Sequence, residues 1–231
     1  MARRRRGIGC RGGQSLLKRD PDTRFVAVEG PTGVGKSTLV RRLPNWLGAD
    51  AIFDPFDANP FFGAVQEDAS PYPTRLELLT ELTFLTLRVA QLREIATILA
   101  AGRSVVADWA LVKQPIFGGL ALGEADRNRI VRTCAIWADD LPDPDLLIYL
   151  RADPRTLLER IAGRGREIEA KLNEAYLTSL CNAFDSEMSH QSGQVMVVDA
   201  TTFDVFDDEI VAQLAARIRQ SLAQGEGAYC A

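Results

Sequence analysis

Histidine is nearly missing from this sequence: a single residue, His190, in a chain of 231. A Ser-His-Asp or Cys-His nucleophile system would have to rest on that one imidazole. It lies in a polar stretch near an expected helix end and reads as a solvated surface residue, so acid–base chemistry falls to carboxylates. Cysteine is scarce as well. Cys10, Cys134, Cys181 and Cys230 are far apart and show no C-x-x-C spacing, which argues against structural zinc and against a disulfide framework. No apolar run reaches the length of a membrane span. Lysine is the other rarity, with Lys18, Lys36, Lys113 and Lys171 standing beside twenty-three arginines. Where arginine is the default, a lysine marks a place that needs a compact ammonium, which singles out Lys36 and Lys113.

What is present is an ordinary globular composition: 46% hydrophobic and 25% charged residues, enough for one α/β domain with a sizeable core. The net charge of -4 argues against a dedicated nucleic-acid binder. It hides an asymmetry, because residues 1–24 carry +6 and the remainder -10. The opening MARRRRGIGCRGGQSLLKRD has no apolar core for a secretory signal. Basic and glycine-rich, residues 1–23 read as a disordered tail, with a transit peptide or a nucleic-acid contact as the other readings. The folded domain is expected over 24–225.

The stretch Phe25–Leu43 organises the rest. An apolar run, Phe25–Val28, leads into Gly30-Pro31-Thr32-Gly33-Val34-Gly35-Lys36-Ser37-Thr38, a full G-x-x-x-x-G-K-S phosphate loop that opens a helix. Glycines let backbone N–H groups turn toward an anion, and the helix adds the positive end of its dipole. Lys36 is placed to reach the β- and γ-phosphates, and the Ser37 hydroxyl to ligate Mg²⁺. The motif predicts a nucleoside triphosphate site with Mg²⁺, without saying what receives the phosphate.

In chain order, the helix is expected to run to about Leu47, with a strand at Ala51–Phe53 ending in Asp54-Pro55. Pro55 holds Asp54 out of helical geometry, at the strand edge where open α/β sheets bind ligands. A short helix is expected from Asn59 to about Gln66. A long one follows from about Thr74 to Ala101, with Leu78, Leu82, Leu85 and Val89 at helical spacing. The strand Ser104–Ala107 ends at Asp108, the best candidate for a Mg²⁺-organising acid. Helices over 112–119 and 124–139, a strand at Leu146–Leu150 and a helix opened by Asp153-Pro154 come next. Arg160, Arg164 and Arg166, interleaved with glycine, read either as a solvated helix end or as a lid closing on a phosphoryl group. A helix over 168–188, a strand at Val195–Val198 and a helix from Phe206 to Ala223 complete the chain. The alternation predicts an α/β, three-layer P-loop NTPase fold: a five-stranded parallel sheet with helices on both faces.

These pieces resemble the bacterial deoxynucleoside kinase family, in particular its deoxyadenosine/deoxyguanosine kinase-like members, from about Phe25 to Val205. The resemblance is carried by Val28-Glu29-Gly30 through Leu39, Asp54-Pro55 with Asn59-Pro60-Phe61, Glu81 to Arg88, Asp108, and Arg164-x-Arg166-x-x-Glu169 before Tyr176-Leu177. It implies that Asp54 takes the proton of a nucleoside 5′-hydroxyl, with Asp108 as metal ligand and rival base. It implies that Arg164 and Arg166 contact phosphates, and Glu169 the sugar 3′-hydroxyl. It also implies a cytoplasmic homodimer.

The chain departs from the family pattern in five places. Asp54 stands where Glu is common. Trp109-Ala110 follows Asp108 where an Arg-Ser usually does, and Lys113 sits five residues after the acid, as in some bacterial relatives. Gln66 takes the place of a sugar-contacting tyrosine. Glu81 takes that of the base-reading glutamine, with Glu77 as the alternative one turn earlier and an ion pair to Arg88 as the structural alternative. The expected activity is transfer of the γ-phosphate of ATP to the 5′-hydroxyl of a deoxynucleoside or nucleoside analogue, with Asp54, Gln66, Glu81, Arg88, Lys113 and Glu169 on the acceptor. The rivals are a thymidylate-kinase-type nucleoside monophosphate kinase and a regulatory NTPase. No nucleic-acid or membrane partner is expected.

Overall fold

The structure is a computed structural model and describes residues 18–62, 73–138, 140–166 and 169–226. Strand β1 (Phe25–Glu29) has five consecutive buried residues, as a strand covered on both faces requires. Around it lie β2 (Ala49–Ile52), β3 (Ser104–Ala107), β4 (Leu146–Arg151) and β5 (Val195–Asp199), in the order β2-β3-β1-β4-β5. All four pairings are parallel. After β2 and β3 have filled one side of β1, the chain crosses to the other side for β4. The switch point therefore falls at the C-terminal end of β1, where doubly wound sheets open a crevice.

The helices are α1 (Lys36–Leu47), α2 (Pro73–Ala100), α3 (Lys113–Ala121), α4 (Glu124–Ala138), α5 (Pro154–Arg164), α6 (Glu174–Ser189) and α7 (Asp208–Glu226). Successive side chains of β1 point to opposite faces, and the two faces carry separate cores. Val26 and Val28 pack with Leu39 and Leu43 of α1, Leu157 and Ile161 of α5, and Leu214 and Ile218 of α7. Phe25 and Ala27 pack with Leu92 and Ile95 of α2, Ile116 of α3 and Phe184 of α6. This is the expected three-layer arrangement. No helix among the described residues is long and apolar enough to cross a membrane.

Several boundaries differ from the sequence reading, each for a local reason. The helix expected over 168–188 begins at Glu174, because the Asn173 side chain accepts the Tyr176 N–H and caps it there. The last helix begins at Asp208, where the Asp207 carboxylate accepts the N–H groups of Glu209 and Ile210. On α2 the buried stripe runs through Phe84, Leu85, Arg88, Val89 and Leu92, whereas Leu82 is 43% exposed. The β2 strand lies two residues earlier than expected and ends at Ile52. Of the segment expected to be helical from Asn59 to Gln66, Asn59 is extended, Pro60–Phe62 is helical, and the remainder, Gln66 included, lies outside the described residues.

Residues 18–23, read as part of the tail, belong to the folded unit. Arg19 donates to both oxygens of Asp145, at 3.1 and 2.5 Å, and to the Thr23 carbonyl. Asp145 also accepts the Phe25 N–H at 2.6 Å, and Thr23 is buried. His190 caps the end of α6 at the surface. Cys134 and Cys181 are free thiols.

Candidate active site

The phosphate loop hangs on β1 and needs its glycines. Gly30 has φ 147°, and a Cβ there would lie 2.3 Å from the Leu150 carbonyl oxygen. At Gly33, φ 87°, a Cβ would meet the Ile161 side chain at 2.8 Å. Gly35 caps α1 without a side chain, so the first N–H groups of the helix face an incoming anion. The Lys36 ammonium lies across the loop and donates to the carbonyls of Gly30 and Pro31 at 2.6 and 3.0 Å. Burial and then Lys113 push its pKa down to about 8, against the pull of Glu29, Asp108 and Asp54. A bound polyanion would favour its charged form further.

Asp108, at the end of β3, is 4% exposed. One of its oxygens accepts the Ser37 hydroxyl and the other the Asp54 backbone N–H at 2.6 Å. The two residues expected at the metal are thus side by side. Both offer hard oxygen donors, and among the described residues no group of three His, Cys, Asp or Glu side chains could hold a metal by itself. That donor set fits Mg²⁺, which keeps most of its shell for phosphates and water.

A second set of polar side chains is assembled from three elements: the end of β2, α2 and α3. The Asp54 carboxylate receives Arg88 from α2 through contacts at 3.2, 3.2 and 3.0 Å, and Lys113 from the start of α3 at 2.6 Å. Burial alone would raise its pKa. Lys113 and Arg88 outweigh that and hold the carboxyl well below the usual carboxylate range. Lys113 thus sets a cation against Asp54 in a site that lacks the arginine after β3, while Trp109 fills the core beneath, fully buried.

Arg88 also donates to the Gln114 carbonyl oxygen at 2.7 Å, and the Gln114 amide donates to Glu81 Oε2 at 2.5 Å. Because Arg88 can only donate, the amide orientation is fixed and Glu81 is the acceptor at the end of the chain. The ion pair between Glu81 and Arg88 considered from sequence does not form; Gln114 lies between them. Burial pushes the Glu81 pKa up to about 7 against Arg88 and Lys113.

A cavity of about 530 Å³ joins these groups. Lys36, Ser37, Asp54, Asp108, Lys113, Glu77 and Glu81 line it, with Arg88, Arg164, Arg166 and Glu169. Phe62 and Phe84 pack edge to face in its wall, ring centroids 5.3 Å apart. Arg164 forms a two-pronged ion pair with Glu169, and the Arg166 guanidinium lies 5.2 Å from the Phe56 ring centre. A second cavity of about 490 Å³ lies across the phosphate loop, against Thr38 and residues 200–206. Arg160 braces it by donating to the Ala200 carbonyl at 2.8 Å. Gly33 and Arg164 line both cavities.

The sequence reading missed Glu29, Gln114 and the 200–206 segment. Glu29 did leave a signal, an acid closing an otherwise apolar strand. Gln114 left none, because its partners Arg88 and Glu81 are 26 and 33 residues away.

A phosphate loop, an acid at the neighbouring strand end, and beside them the cavity that holds the buried Asp54 carboxylate and three guanidinium groups are the parts of a P-loop phosphotransferase site. The sequence profile of the deoxynucleoside kinase family matches residues 26–223, and the chain belongs to that family. The deoxyguanosine kinase of Bacillus subtilis (strain 168) is 29% identical over 203 residues, covering 85% of this chain and 96% of that one. The deoxyadenosine/deoxycytidine kinase of the same organism is 27% identical over 217 residues, covering 87% and 96%. A solved structure of deoxyadenosine kinase from M. mycoides, with the products dCMP and dCDP bound, matches with a TM-score of 0.71 at 24% identity, over 85% of this chain and 99% of that one. This chain is accordingly a kinase that phosphorylates nucleosides.

Proposed function

We propose that the acceptor is the 5′-hydroxyl of a deoxynucleoside with an amino-bearing base, and that Asp54 takes its proton. One observation carries this reading. An ionised Asp54, held by Arg88 and Lys113, stands in the same cavity as Lys36 and Ser37. A monophosphate acceptor brings its own dianion and needs a dedicated cation, yet Arg88 and Lys113 are both engaged by Asp54.

In this reading Lys36 and the loop N–H groups hold the ATP phosphates, and Ser37 with Asp108 would hold Mg²⁺, which neutralises phosphate charge when bound. Arg164 and Arg166 close on the transferring group, with Arg164 exchanging Glu169 for phosphate oxygens and leaving Glu169 to the sugar. The 5′-oxygen bonds to phosphorus as the bond to the bridging oxygen breaks, and the hydroxyl proton passes to Asp54. A carboxylate of such low basicity suits a loose transition state, in which the proton leaves late. Gln66 is kept as a sugar contact, and Glu81 faces the base. The same reading carries a cytoplasmic, homodimeric enzyme, as the family resemblance implies.

The test is transfer of labelled phosphate from ATP over a panel of deoxynucleosides and their monophosphates. A labelled deoxynucleoside 5′-monophosphate is the expected product. Transfer confined to monophosphate acceptors would move the assignment to the thymidylate-kinase type.

A further inference from the structure

Glu29 is the last residue of β1 and is completely buried. A carboxylate there is costly unless hydrogen bonds and charges answer it. It accepts the Ala110 N–H at 2.7 Å and the Gly30 N–H at 3.3 Å. The Ala110 carbonyl in turn accepts the Lys113 N–H at 3.1 Å, and the Lys113 ammonium reaches Asp54 at 2.6 Å. Glu29 is thus joined on one side to the first glycine of the phosphate loop and on the other to the turn that launches Lys113. Burial raises its pKa, and Lys113, Lys36, the Ala110 N–H and Arg88 offset only part of that rise. Lys36 and Lys113 repel each other, and Glu29, like Asp54, attracts both.

We propose that Glu29 is a positioning residue that ties the donor and acceptor halves of the site together. Its carboxylate fixes the Ala110 turn so that Lys113 meets Asp54, and its charge lets two like-charged ammonium groups share one site. It touches neither substrate. The inference rests on Asp54 and Lys113 forming the acceptor side, as proposed above.

The carboxylate's two duties predict a split in the kinetics. Without the negative charge, the phosphate site becomes more positive and holds nucleotide anions more tightly. Without the tie to Ala110, Lys113 and Asp54 lose register and transfer slows. Damage to the fold would instead weaken nucleotide binding and slow transfer together.

The experiment uses the full chain with Glu29→Gln, Lys113→Met and the double variant, and Glu29→Asp as a charge-retaining companion. Turnover is measured with ATP and deoxyguanosine, and ADP affinity by calorimetry without acceptor. Glu29→Gln is expected to lower kcat by about 10²-fold with KM for ATP unchanged or reduced and ADP bound more tightly. In the Lys113→Met background the same change should cost far less, because the register it protects is already lost. Glu29→Asp should keep the unmutated ADP affinity. Unchanged kcat, weakened ADP binding, or effects that multiply in the double variant would each overturn the proposal. If the unmutated protein turns over no deoxynucleoside, the acceptor reading fails, while the ADP comparison still decides the role of Glu29.

Discussion

The two halves of the site are built in opposite ways. The donor half is one continuous stretch: Gly30, Gly33, Lys36 and Ser37 all lie within eight residues, and a strand-to-helix turn folds them into place locally. The acceptor half draws Asp54 from the end of β2, Glu81 and Arg88 from α2, and Lys113 and Gln114 from α3. Its geometry exists only when those elements pack. The donor half should therefore tolerate substitution without unfolding, because an anion and water can satisfy what is lost. In the acceptor half, catalysis and stability share the same side chains.

The largest expected effect tests the donor half. Lys36→Ala should reduce kcat/KM by about 10³-fold or more, with circular dichroism and melting temperature close to the unmutated protein. A variant that loses its fold would show that the donor half is not the separable module described here.

The acceptor half should fail on both counts. Asp54→Asn is expected to lower kcat by about 10²–10⁴-fold while ATP binding holds. It should also cost about 3–5 kcal/mol of stability by leaving Arg88 and Lys113 without their counter-ion. The sign with pH follows from the depressed pKa of Asp54. Its contribution is complete above the unfolded-state pKa of about 3.9 and is lost as pH falls toward the lower folded value. Urea unfolding should therefore show a constant stability gap between the two proteins from pH 5 to 8, closing only in stronger acid. Asp108→Asn should instead raise the Mg²⁺ concentration needed for turnover. Reversed phenotypes would exchange the base and the metal ligand.

Base preference is a smaller effect. An ionised Glu81 only accepts hydrogen bonds, so adenine, cytosine or guanine amino groups suit it better than thymine. An unpaired polar group there costs about 1–3 kcal/mol. Because Glu81 titrates at about 7, the kcat/KM ratio of deoxyadenosine or deoxyguanosine over thymidine should rise between pH 6 and 8. The ratio should flatten in Glu81→Gln. Thymidine as the best acceptor would defeat this reading.

The smallest effect concerns the chain before β1. Deleting residues 1–17 should leave melting temperature and activity unchanged. Deleting through Thr23 removes the Arg19–Asp145 contact, which is partly solvent-screened, and should cost about 1 kcal/mol, or roughly 2–4 °C.

The same contrast explains what could be read from the sequence. Gly30 to Thr38 was legible because its function needs only neighbours in sequence, and Asp54 and Asp108 because each closes a recognisable strand. The five-stranded parallel sheet followed from apolar runs alternating with helical periods. Gln114, and the choice of Asp54 over Glu81 as the partner of Arg88, depend on how α2 and α3 cross, which no local pattern encodes. Leu82 misled for the same reason: helical spacing names a stripe but not which stripe the sheet covers.

Gly33 and Arg164 stand in both cavities, and this constrains how the enzyme's repertoire can change. A substitution at either one alters donor and acceptor recognition together. If the larger cavity takes the acceptor, as proposed, new acceptors would come through walls that belong to it alone, such as Phe62, Glu77, Glu81, Phe84, Phe117 and Tyr176. Such changes would fall on α2 and the segment before it, α3 and α6, and leave the phosphate loop as it stands.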